Sequence, residues 1–139
     1  MSTPQDFARK PRPEFRNIHI SQIVAYRLPL AGIVSILHRI SGALLFLALP
    51  LLLWLFELSI MSEISFDKFT ALAASLPAKI VLLGLIWGFL HHLVAGLRFL
   101  VLDLHIGVEK TAAASSARVV LGVSLALTAL AAIKLFGVF

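Results

Sequence analysis

Three long apolar runs dominate this 139-residue chain, and they leave it few ways to fold. They extend from about Leu30 to Phe56, from about Ala78 to Leu104 and from about Ala117 to Val138. Each is near or above the roughly 20 residues that a helix needs to cross a hydrocarbon core. Backbone in hydrocarbon must satisfy its own hydrogen bonds, so runs of this kind are helices. The expected architecture is all-α, an integral membrane protein with three transmembrane helices over 30–139, preceded by a polar segment over 1–29. Composition supports the same reading: 60% of the residues are hydrophobic and 14% charged, where a soluble domain carries about a quarter charged.

The links between the runs are polar. Glu57 to Pro77 carries Glu63, Asp67 and Lys68, and the shorter His105 to Ser116 carries Glu109 and Lys110. Pro29 suits the first turn of a helix. Pro50, inside the first run, is expected to kink it, which membrane helices tolerate. The chain has no cysteine, so it forms no disulfide and supplies no thiolate to a metal or iron–sulfur cluster. Its net charge of +5 is concentrated near the membrane boundary, because Arg9, Lys10, Arg12, Arg16 and Arg27 all precede the first run. Lys110 and Arg118 flank the short link, whereas Lys68 and Lys79 in the long one are offset by acids. The positive-inside rule then puts the N-terminus and the short link in the cytoplasm and the C-terminus outside. Met1 to Gln22 has no apolar h-region, and Asp6 and Glu14 do not suit a mitochondrial presequence. The chain is therefore read as bacterial and unprocessed.

Ionisable residues inside a span are functional candidates by default. The first run opens with Ser35, His38, Arg39 and Ser41. Three- and four-residue spacing puts Ser35, His38, Arg39 and Gly42 on one helix face, where a hydroxyl and a guanidinium can together hold a carbonyl or carboxylate oxygen. Alternatively, Arg39 snorkels to the headgroups. The second run contains His91, His92 and Arg98. Helical spacing groups Gly88, His92, Gly96 and Asp103 on one stripe and His91, Arg98 and His105 on another. His92 thus has a glycine one turn to either side, a side-chain-free strip that would let a porphyrin approach the helix; the alternative is that these glycines are points of helix packing. Imidazole is a usual haem ligand. His38 and His92 lie about 8 and 13 residues from the cytoplasmic ends of their runs, a depth difference of roughly 7 Å at 1.5 Å per residue. They are not expected to clamp one iron, so a second ligand must come from another chain.

The string Ser35-Ile36-Leu37-His38-Arg39-Ile40-Ser41-Gly42 closely resembles the signature of the succinate dehydrogenase cytochrome b subunit family, the membrane anchors of succinate:quinone oxidoreductase. His92-x-x-x-Gly96-x-Arg98 followed by Asp103 resembles its second motif, and Arg12-Pro13 its short N-terminal element. The resemblance implies half of a heterodimeric helical bundle in which one b-type haem is shared with a second hydrophobic anchor subunit, each chain giving one His. The matching position here is His92, with His38 and Arg39 beside the haem propionates and Ser35 and Arg39 in a ubiquinone pocket. It further implies a flavoprotein with FAD and an iron–sulfur subunit as partners on the cytoplasmic side. This chain would neither bind nor oxidise succinate itself, would pass electrons from succinate oxidation to quinone, and would have no activity alone. Where many relatives carry a Pro-His motif before the first span, this chain reads Asn17-Ile18-His19-Ile20. Rival readings are a fumarate reductase anchor working with menaquinone, a haem-free tether, and a small transporter component; the last is disfavoured by the lack of internal symmetry.

Overall fold

The computed structural model describes residues 19–137. The N-terminal segment through Ile18, with its four cations Arg9, Lys10, Arg12 and Arg16 and with Arg12-Pro13, lies outside the described residues, as do Val138 and Phe139. Five helices follow one another: α1 (Ile20–Ala25), α2 (Leu30–Met61), α3 (Glu63–Ala74), α4 (Leu76–Asp103) and α5 (Lys110–Leu135). Three of them, α2, α4 and α5, are long and apolar enough to cross a membrane. The chain is an all-α membrane bundle of three spans.

Element boundaries follow from local chemistry. Pro29, at φ −65°, is the N-cap of α2 and lies just ahead of its first turn. The helix continues without a break through Pro50 to Met61, five residues past the expected end. Ser62 ends it in extended backbone and starts α3 at once, through a reciprocal cap: the Ser65 amide donates to Ser62 Oγ at 3.2 Å, and the Ser62 amide donates to Ser65 Oγ at 2.9 Å. The long polar link is therefore mostly a 12-residue helix. Ser75 caps α4 in one direction only, accepting from the Ala78 amide at 3.4 Å. The second link is shorter than expected. It closes through two left-handed residues, His105 at φ 62° and Gly107 at φ 74°, and α5 begins at Lys110, seven residues before the expected Ala117.

At 1.5 Å per residue the 32, 28 and 26 residues of α2, α4 and α5 span about 48, 42 and 39 Å. All exceed a hydrocarbon core of about 30 Å. The three spans touch one another pairwise. Their buried side chains, Val34, Ala95, Ala117 and Val120 with Ser41, His91, Arg98 and Ser124, lie toward the α2 N-terminus and the α4 C-terminus. Small residues predominate there, as expected where lipid removes the hydrophobic drive between helices and close van der Waals contact must replace it. Toward the other end the spans part around an apolar groove of about 450 Å³ lined by residues such as Leu52, Leu82, Phe89 and Leu127. Lys79 of α4 reaches over the Phe136 ring at 5.8 Å and ties the two helices there.

Candidate functional site

Antiparallel packing of α2 on α4 brings the polar turn of the first span against the paired histidines of the second. Gly42 makes this contact possible: a Cβ on it would lie 2.7 Å from His92 Cε1 and 3.2 Å from Nδ1. One turn away, Gly96 faces His38, whose Nε2 would lie 3.5 Å from a Cβ there. Gly88 lies against the Ser41 Cβ. The glycines flanking His92 are thus points of helix packing, filled by α2 side chains of the same chain rather than left as a bare strip.

His38 and His92 stack face to face, with ring centroids 4.1 Å apart and planes within 7°. The expected depth difference of roughly 7 Å does not carry over to the rings. The backbones remain one turn out of step, with Gly42 opposite His92 and His38 opposite Gly96, and the side chains lean together to close the gap. Rings in face contact direct their nitrogens sideways, past one another, and not toward a common point between them.

The state of His92 is fixed by its partners. Its Nδ1 lies 3.0 Å from the carbonyl oxygen of His38 and 3.3 Å from Ser41 Oγ. A carbonyl can only accept, so Nδ1 carries the proton. In the neutral ring Nε2 is then the acceptor nitrogen, and it has no hydrogen-bond partner among the described residues. His91 is the opposite case. It is 0% exposed and lies close to the Val34 backbone, and neither ring nitrogen meets hydrogen-bond geometry with any of the described residues. Trp87 stacks on it at 5.3 Å, with its own Nε1 buried and unpartnered. An imidazole enclosed in this way cannot present a nitrogen to another chain.

Ser35 is half-buried and Arg39 exposed, and neither makes a side-chain hydrogen bond to the described residues. Both are available to a ligand or partner near the N-terminal end of α2. Arg98, one of the ionisable residues the sequence places in the second span, is buried, donating from Nε to Ser116 Oγ at 2.8 Å and from Nη2 to the Ala113 carbonyl at 3.1 Å. It joins α4 to the first turns of α5. Among the described residues, no three His, Asp or Glu side chains converge as a metal cluster. A haem iron asks less of one chain, a single imidazole nitrogen, and His92 Nε2 is without a hydrogen-bond partner among the described residues.

The profile of the succinate dehydrogenase/fumarate reductase transmembrane subunit family matches residues 9–131. The chain is 35% identical over 111 residues to the succinate dehydrogenase cytochrome b556 subunit of Paracoccus denitrificans, which covers 80% of this chain and 85% of the relative.

Proposed function

Because the chain belongs to the succinate dehydrogenase/fumarate reductase transmembrane subunit family, we propose that it is the cytochrome b anchor of a succinate:quinone oxidoreductase, holding part of a haem b and of a ubiquinone site. The observation that carries this reading is His92 Nε2, inside a membrane span and without a hydrogen-bond partner among the described residues, while Nδ1 of the same ring is engaged by the His38 carbonyl. His92 would hold the haem iron on one side, and a second hydrophobic anchor subunit would supply the other ligand. His38 and Arg39 would neutralise the propionates. Bound there, a b-type haem supplies a one-electron redox centre. FAD and iron–sulfur clusters belong to the flavoprotein and iron–sulfur subunits, docked at the cytoplasmic end. In this reading the N-terminus and the 104–109 loop face the cytoplasm, α3 faces the periplasm, and the membrane is the bacterial inner membrane.

At the quinone the chain's part is electrostatic. Ubiquinone takes up two electrons and two protons, and negative charge builds on its carbonyl oxygens as the electrons arrive. The Ser35 hydroxyl donates to one such oxygen, and the Arg39 guanidinium stabilises the charge, as fixed donors do in a dry site. The Paracoccus relative favours succinate oxidation over the fumarate reductase direction.

The test is to purify the complex through a tag on this chain. A b-type spectrum and three co-purifying subunits are expected. Ser35→Ala and Arg39→Ala should slow ubiquinone reduction at least ten-fold, while succinate oxidation by a soluble artificial acceptor continues. Unslowed quinone reduction in both variants would refute the assignment of the pocket.

A further inference from the structure

Ser41 is 2% exposed and lies within a membrane span. Serines in helices commonly satisfy themselves by donating to a carbonyl three or four residues back. Ser59 and Ser124 do this and nothing more, donating to the carbonyls of Phe56 and Leu121. Ser41 also does it, donating to the His38 carbonyl at 2.9 Å. Unlike the other two, its oxygen then faces a nitrogen on another helix, His92 Nδ1 at 3.3 Å. With the hydroxyl proton committed to His38, the lone pairs of Oγ remain to accept. The His92 Nδ1–H therefore meets two acceptors, the His38 carbonyl and Ser41 Oγ. The His38 ring covers one face of the imidazole, and Gly42 brings the α2 backbone against its Cε1 edge.

We propose that Ser41 is a positioning residue for the iron-facing imidazole, one of two acceptors that fix the rotation and tautomer of His92 and raise the electron-donating power of its Nε2. The inference rests on His92 being a haem ligand. Partners on the second nitrogen of a ligating His orient the ring and increase its basicity. A more basic axial ligand favours ferric iron, the more positively charged state, so Ser41 lowers the midpoint potential of the haem. A serine that merely filled space between helices would leave the potential alone.

Ser41→Ala removes one oxygen and leaves the His38 carbonyl in place, so the tautomer persists while the ring is held by one acceptor instead of two. Redox titration of the purified complex should give a haem midpoint more positive than wild type. The low-spin ferric EPR signal should shift or broaden as the ring gains rotational freedom, and haem retention should fall about ten-fold, the lower end for loss of such a partner. Ser41→Cys keeps the volume with a poor acceptor and carries the same expectation if the alanine variant fails to assemble. A midpoint and EPR signal unchanged from wild type, or a midpoint moved negative, overturns the role of Ser41. Absence of b-type haem from the wild-type complex would instead remove the reading on which it rests.

Discussion

A methyl group at position 42 would stand 2.7 Å from the His92 ring, closer than any side-chain carbon settles. The imidazole cannot swing aside freely, because the His38 ring covers one of its faces at 4.1 Å. Gly42→Ala should therefore turn the ring off its Nδ1 acceptors and shift or weaken the b-type absorbance, even though alanine is the better helix former by about 1 kcal/mol. A wild-type spectrum in that variant would mean that His92 has more room than the packing of α2 on α4 allows. The glycine was visible in the sequence as part of a polar helix face, but its use was not. Helical arithmetic along one span shows which residues share a stripe, and says nothing of which stripe meets another helix. That is why Gly88 and Gly96 read as a strip left bare beside His92, when they in fact receive Ser41 and His38. It is also why the sequence could group His91 with Arg98 without showing that this stripe faces inward. Ser41, seen only as one of several polar residues, could be tied to His92 only once the register of the two spans was known.

At the scale of elements, α5 starts where Arg98 holds it. The turn Thr111–Ser116 looks like a polar link, but it contains Ala112, Ala113 and Ala114, strong helix formers, and two of its groups accept from the buried guanidinium. Polarity hid the helix because the polar atoms have partners inside the protein. Arg98→Met, which keeps the length of the side chain but not its donors, should destabilise the bundle by about 1–3 kcal/mol, allowing for the modest worth of polar contacts between membrane helices. Arg98→Lys should recover little of it, since one ammonium cannot reproduce the diverging Nε and Nη2 donors. Thermal inactivation of the detergent-solubilised complex measures both; a lysine variant as stable as wild type would argue that charge alone matters at this position. The α3 helix was missed for a different reason. Its cap is Ser62 with Ser65 in place of the usual Glu or Gln, and no long apolar stripe announced its 12 residues.

For the whole molecule, the number and order of spans were legible because bilayer thickness sets a length that composition alone reveals. Less legible was how unevenly the spans meet. The enclosed side chains gather at the end that carries Ser35, His38 and Arg39, whereas the far half opens around an apolar groove. Such a layer has little interior of its own. Many large apolar side chains stand exposed along α2, Ile40, Leu44, Leu47 and Leu51 among them, which fits a subunit completed by lipid and by a neighbouring chain. Under the proposed function a haem shared with that neighbour would require an imidazole that opens outward, and the adjacent histidines differ in this one respect. His91 is wholly enclosed, so replacing it with leucine exchanges an unpartnered polar ring for apolar volume, a change that buried sites tolerate. His92 keeps its Nε2 free. The most direct measurement is the reduced-minus-oxidised spectrum of the purified complex carrying His92→Ala, set beside His91→Leu. Loss of the b-type band in the first and its retention in the second is the expected result; a full band with His92→Ala, or its loss only with His91→Leu, would contradict it.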